Sequence, residues 1–140
     1  MGSRRKGRIL AFQALYSWDA SQTKKEQLPE DLLDFGWTSQ NPDEEMTAFS
    51  RLLVTGTIEN IEAVDSMIQK HLDNWELKRL NKVDLAILRM SVYTLLFQTD
   101  MPPSIVIDEA IDISKEYGTD DSYRFVNGVL DAVRKTIEKS

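Results

Sequence analysis

Few side chains in this chain are of types that could perform catalysis. His71 is the only histidine, and the 140-residue sequence contains no cysteine, which excludes thiol catalysis and cysteine-based zinc sites. Glu109 and Asp112 stand one helical turn apart, as paired acid–base carboxylates would, but their positions opposite Ile107 and Ile111 favour a solvated helix face. We therefore predict a binding protein, not an enzyme, with no metal site and no cofactor.

A basic segment at the N-terminus is the clearest candidate for ligand binding. Residues 1–18 carry four of the 17 basic residues and none of the 23 acidic residues, although the formal net charge is −6. An acidic body repels phosphate, so a nucleic-acid site must lie at this segment or be completed by a basic partner. We call residues 1–8 the basic arm.

The arm has two open interpretations. Cations at the start of a helix oppose the helix dipole, which favours a ligand-binding role over a stabilising one. The alternative is a solvated helix start without a ligand. In either case we expect the arm to contribute little to the stability of the fold.

A second candidate site lies near the C-terminus, where Tyr123, Arg124 and Phe125 place aromatic rings beside a cation. This combination can stack a base and contact a phosphate, although Phe125 could equally belong to the core. Gly128 follows within the same predicted helix, where glycine costs about 1 kcal/mol relative to alanine. We therefore expect a close approach at Gly128, most simply by a neighbouring helix.

Apolar residues recur at three- and four-residue intervals, which predicts helices and almost no strand. Asn41 and Pro42 are a candidate start for the second helix, which has a possible break near Gly56. Residues 22–40 are predicted to form a polar loop. The predicted helices cover about residues 5–21, 42–72, 82–97 and 120–138. A further helix is predicted after Pro102 and Pro103, and Gly118 ends it.

The segment that follows Asn81, a candidate N-cap, is typical of a central helix. Between Val83 and Phe97 the only charged residues are Asp84 and Arg89, and apolar residues point in every direction. No apolar run approaches the roughly 20 residues that span a bilayer. The expectation is a soluble cytoplasmic protein of one domain and about six helices.

Four stretches resemble the NusB family of bacterial transcription antitermination factors, in order and at the family's spacing. They are ALYSWD, NKVDLAILRMSVYTLLF, PPSIVIDEAIDISKEYG and DDSYRFVNGVLD. The resemblance runs from the arm to the last helix and is weakest between Ser21 and Asn41. It implies an all-α fold, a compact helical domain of two small helical bundles around a central apolar helix, over residues 1–140 with the arm at 1–8.

The resemblance also implies an RNA-binding protein without catalytic activity. Members of the family pair with the small ribosomal-subunit protein NusE, and the heterodimer binds the boxA element of ribosomal RNA leaders. The complex joins RNA polymerase with other Nus factors, suppresses premature termination and supports ribosomal RNA synthesis. An acidic body would attract a basic ribosomal protein.

Position by position, the resemblance assigns Asp84 and its surroundings on the central helix to the partner surface. An aspartate repels phosphate, so the expected roles of Asp121 are helix capping, orienting a base or limiting affinity. Gly7 interrupts the arm, where the family has a continuous basic or alanine-rich run. The implied RNA surface comprises Arg4, Arg5, Lys6, Arg8, Tyr16, Asp121 and Phe125.

Two other functions are alternatives. The protein could be a helical protein-interaction adaptor that does not bind RNA and carries the arm as an idle tail. Domains of this family also occur fused to RNA cytosine methyltransferases, but 140 residues leave no room for a methyl-donor domain.

Overall fold

The computed structural model describes residues 3–21, 44–73 and 75–139, and within these ranges every regular element is helical. The prediction of an all-α fold is confirmed. The predicted loop over residues 22–40, the predicted helix start at Asn41 and Pro42, and residues 1–2 of the arm lie outside the described residues. The helices are α1 (Ser3–Ser21), α2 (Glu44–Glu59), α3 (Ile61–Lys70), α4 (Lys82–Phe97), α5 (Pro103–Tyr117) and α6 (Ser122–Glu138), with a 3-10 turn at Leu77–Arg79.

Helix α4 is the centre of the fold, as its uniformly apolar sequence predicts. It packs against each of the other five α-helices, and residues 84–95 are all buried. The side chain of Asn81 accepts the backbone N–H of Val83 at 2.8 Å and that of Asp84 at 3.3 Å, which confirms the predicted N-cap. Helix α1 packs extensively against α2, and α5 packs extensively against α6. Helix α4 lies between these two pairs and joins them.

Arg89 is a buried cation in α4, and two carboxylates explain its presence there. Its guanidinium donates to both oxygens of Asp65 on α3, at 2.9 and 3.0 Å, and to Asp19 on α1 at 3.1 Å. Burial alone would lower the pKa of Arg89, but the hydrogen bonds and charges of Asp65 and Asp19 outweigh it and raise that pKa. Arg89 thereby ties α1 and α3 to the central helix.

The break between α2 and α3 falls at Asn60, not near Gly56 as expected. Helix α2 continues through Gly56 to Glu59, and α3 begins at Ile61. A Cβ at Gly56 would clash with the ring of Tyr93 on α4. Gly56 is therefore required by the close packing of two helices, not by a change of chain direction.

The expected helix neighbour of Gly128 is absent from the residues that the structure describes. Gly128 is exposed in the middle of α6. No atom of a neighbouring described element lies within 4 Å of the position that a Cβ would occupy. No described helix makes the close contact that was expected at Gly128.

Candidate RNA and partner interface

Two of the four cations of the arm are paired with acids of α5. The Nε of Arg5 donates to Glu109 at 3.1 Å, and Arg5 forms a second ion pair with Asp112. The guanidinium of Arg8 lies 3.9 Å from the same Glu109 oxygen. The hydrogen bonds that Arg5 donates to Glu109 and Asp112 raise the pKa of Arg5, whereas burial lowers the pKa of Arg8. Both guanidinium groups stay charged, since arginine is not deprotonated in proteins.

The expectation of a solvated helix face is confirmed for Asp112, which is exposed, whereas Glu109 is half-buried, and both acids are paired with arginines of the arm. Their partners lie more than 100 residues away in the sequence, so the periodicity of α5 alone contains no information about them. Both acids help to hold the start of α1 against α5. Half of the arm's positive charge is thus neutralised within the protein.

The arm also contributes to the core, contrary to expectation. Arg8 is only 7% exposed, and Gly7 is buried where α1 crosses α2. The hydroxyl of Ser50 donates to the carbonyl oxygen of Gly7 at 2.8 Å. A Cβ at Gly7 would stand 2.7 Å from Cδ2 of Phe49, so the glycine allows the two helices to touch.

Arg4 and Lys6 differ from the other two cations of the arm. Arg4 is exposed and Lys6 is half-buried. The guanidinium carbon of Arg4 lies 4.5 Å from the centroid of the Phe49 ring, and neither cation forms an ion pair with a residue that the structure describes. Farther along α1, Tyr16 is 42% exposed. These side chains can reach a ligand without breaking a contact to α5.

The start of α6 carries an exposed cluster of an aromatic ring, two cations and an acid. Arg124 donates to the Tyr123 hydroxyl at 3.0 Å, and the Nζ of Lys115 lies 5.1 Å from the centroid of the Tyr123 ring. Asp121 precedes α6 but makes no capping hydrogen bond with its side chain, so the capping role is wrong. Its carboxylate lies 3.8 Å from Arg124.

Phe125 lies beside Asp84 and not beside the arm. The ring is half-buried, and it packs against the core. It borders an open cavity of about 290 Å³ to which no described residue of the arm contributes. The cavity is lined by Trp75, Arg79, Leu80, Asn81, Asp84 and Phe125.

Asp84 is a buried carboxylate with an incomplete set of hydrogen bonds. It is 7% exposed, and its Oδ1 has no hydrogen-bond partner among the described residues. Burial raises the pKa of Asp84, an effect that the hydroxyl of Ser122 partly offsets. Because a buried carboxylate without a cation is unfavourable, a cation that enters the cavity from another molecule would stabilise it.

Sequence reasoning did not single out Phe49 or Trp75 as surface residues. Phe49 occupies an apolar position of an amphipathic helix, which is the usual signature of the core. Trp75 precedes α4 and is 57% exposed. The only feature of the sequence that pointed to an exposed Trp75 was the presence of an aromatic residue in a short connection between helices.

His71 follows the last residue of α3 and has a structural role. It is half-buried, and a hydrogen bond of 3.0 Å joins its Nε2 to the hydroxyl of Thr136. Within the described ranges there is no group of three or more histidine, aspartate or glutamate side chains that could hold a metal ion. Over the same ranges, no helix has the length and apolar character needed to cross a membrane.

The fold is that of a helical binding protein. Its candidate binding surfaces lie along α1 and at the end of the molecule where α4 and α6 begin. The model of the NusB family matches residues 5–135, and the chain belongs to that family. The transcription antitermination protein NusB of Treponema denticola is 53% identical over 133 residues, which cover 94% of this chain and 95% of the relative. Membership of this non-catalytic family confirms the prediction of a protein that is not an enzyme.

Solved structures with the same fold agree with this assignment. T. maritima NusB superposes with a TM-score of 0.81 at 36% identity, covering 94% of this chain and 90% of that one. A structure of antitermination factors NusB and NusE in complex with dsRNA gives a TM-score of 0.81 at 30% identity, covering 96% of this chain and 97% of that one. The resemblance inferred from the four sequence stretches is confirmed.

Proposed function

We propose that this protein is a transcription antitermination factor that binds boxA-type RNA together with NusE, in the cytoplasm. The observation that carries the proposal is the family match over residues 5–135, which includes residues 5–8 of the arm, the start of α4 and the start of α6. A relative of similar fold is solved with both NusE and RNA. The complex then joins RNA polymerase with other Nus factors and supports ribosomal RNA synthesis.

The proposed RNA surface uses the arm in two ways. Arg4 and Lys6 neutralise phosphates, because neither is committed to an acid among the described residues. Arg5 and Arg8 bind Glu109 on α5 and so fix the direction in which the arm leaves the body. The surface extends over Tyr16 on α1 and reaches Asp121 and Phe125 at the start of α6.

The proposed partner surface is centred on Asp84. Asp84 lines the cavity beside Phe125, and its carboxylate has an incomplete set of hydrogen bonds. A basic residue of NusE would supply the missing cation. The formal charge of −6 favours association with a basic ribosomal protein at long range. Phe125 lies where the RNA and partner surfaces would meet.

Fluorescence anisotropy with labelled single-stranded boxA RNA tests the proposal directly. Titrations at several salt concentrations, with and without NusE, should show binding that NusE strengthens. The double variant Arg4→Ala/Lys6→Ala should flatten the log–log salt slope by about 1.4, at about 0.7 per phosphate contact. The control Lys70→Ala/Lys139→Ala removes two exposed cations elsewhere and should leave the slope unchanged. No binding in either condition would favour the alternative of a helical adaptor without RNA binding.

Calorimetry with NusE tests the partner surface. Asp84→Lys should weaken the heterodimer by about tenfold or more, because a lysine would repel the incoming cation. RNA binding by the isolated variant should persist. Glu62→Lys makes the same charge change at an exposed position of α3 and should leave NusE binding intact. If Asp84→Lys binds NusE with wild-type affinity, Asp84 does not contact NusE and acts only at the start of α4.

A further inference from the structure

The ring of Phe49 on α2 is contacted by two guanidinium groups of the arm. The guanidinium carbon of Arg4 lies 4.5 Å from the ring centroid, and that of Arg8 lies 5.4 Å from it. Arg8 is buried and close to Glu109, so it cannot leave without breaking contacts. Arg4 is exposed, and its contact with the ring is one that a ligand could replace.

An open cavity adjoins this ring. It measures about 300 Å³, and Leu52 on its border is 52% exposed although it is a large apolar residue. An aromatic ring, exposed apolar surface and an exposed cation side by side are features that bind an unpaired nucleobase. The residues that line the cavity are Arg4, Glu45, Met46, Ala48, Phe49 and Leu52.

We propose that Phe49 is a stacking platform for an unpaired base of single-stranded RNA, with Arg4 moving from the ring to the adjacent phosphate. The inference rests on the proposed RNA-binding function and adds a site on α2 to it. The carboxylate of Glu45 at the cavity repels phosphate, so a base, and not the RNA backbone, occupies the cavity itself. The two guanidinium groups and the arm beside the cavity favour RNA over a protein segment.

The position of the ring is fixed before the ligand arrives. Phe49 lies against the backbone of Gly7, where no side chain intervenes, and Ser50 next to it is hydrogen-bonded to the Gly7 carbonyl. The ring therefore has a defined orientation relative to the arm. A base stacked on Phe49 and a phosphate bound by Arg4 would therefore be held at a fixed position relative to each other.

The test compares Phe49→Leu with Phe49→Tyr in the full-length protein. Labelled boxA RNA is titrated with each, with and without NusE, below the melting temperature of each variant. Leucine keeps an apolar side chain without the ring, and we expect RNA affinity to fall about five- to tenfold with an unchanged salt slope. Tyrosine keeps the ring and should bind like the wild type. Arg4→Ala should instead lower the slope by about 0.7.

Three results would overturn the proposal: wild-type RNA affinity of Phe49→Leu, a loss that Phe49→Tyr shares, or a defect of Phe49→Leu in NusE binding alone. The proposed function fails separately, if the wild-type protein does not bind RNA even with NusE. Should Phe49→Leu not fold, photocrosslinking of the wild-type protein to 5-iodouridine-substituted boxA RNA gives a second test. Mass spectrometry should find a crosslink at Phe49, and crosslinks confined to other residues would contradict the site.

Discussion

Replacing Arg8 by methionine should lower the melting temperature of the protein, although Arg8 belongs to a segment whose composition indicates ligand binding. Of the four cations of the arm, Arg8 alone is buried. Methionine keeps an unbranched apolar stem and removes the charge. The substitution therefore isolates the contribution of the guanidinium from that of the packed side chain.

The size of the effect depends on what happens to Glu109. Breaking a fully buried ion pair costs about 3 to 5 kcal/mol, because one charge is left without a partner. Here the Glu109 side chain is 24% exposed and keeps its hydrogen bond to Arg5 at 3.1 Å, so it is not left alone. The loss comprises a 3.9 Å charge contact, the contact with the Phe49 ring and a weak hydrogen bond to the sulfur of Met101 at 4.0 Å. We expect a decrease of about 1 kcal/mol in the free energy of unfolding, or about 3 °C in melting temperature.

Thermal unfolding followed by circular dichroism would measure this difference. Arg4→Met is the matched control, because the same change at an exposed position should stay within about 0.5 kcal/mol of wild type. Equal melting temperatures for Arg8→Met and wild type would show that the charge of Arg8 contributes nothing to the fold. A loss above about 3 kcal/mol would show that Arg5 does not hold Glu109 when Arg8 is absent.

Three further substitutions test other parts of the structure by the same unfolding measurement. Gly128→Ala should stabilise the protein by about 0.5 to 1 kcal/mol, because alanine favours the helix and meets no described neighbour; a lower melting temperature would contradict the open surface. Gly56→Ala should instead destabilise it by about 1 to 3 kcal/mol through the clash with Tyr93, and a neutral result would show that α2 and α4 can move apart. The raised pKa of Asp84 means that the folded state holds this proton more tightly than the unfolded chain does, so this contribution to stability is complete at acidic pH and is lost as pH rises through the raised pKa. Asp84→Asn should lack that decrease and be at least as stable as wild type at pH 7, whereas a large loss at pH 7 would show that the charge stabilises the start of α4.

The sequence by itself determined the helical class of the fold, the central helix and the family. Helical periodicity and the punctuation by Asn81 and Gly118 depend on residues within a few positions of one another, which is why α4, α5 and the predicted N-cap were correct. The uniformly apolar run in α4 predicted the central helix, because only a helix surrounded by others can bury every face. Four short stretches were enough to indicate the NusB family.

Only the tertiary structure decided which charges are available to a ligand. Arg4 and Arg5 are adjacent and chemically identical, yet only Arg5 meets Glu109 and Asp112 on α5. Such pairs form between residues about 100 positions apart, and periodicity specifies the face of a helix but not the element that covers it.

The same limit applies to glycines and aromatic rings. Gly56 and Gly128 both lie in the middle of helices, but Tyr93 packs against one and no described neighbour approaches the other. Phe125 shares a cavity with Asp84, although the two residues were assigned to different surfaces. Which side chains meet is set by the crossing of helices that are distant in sequence, and that geometry arises only when the whole chain packs around α4.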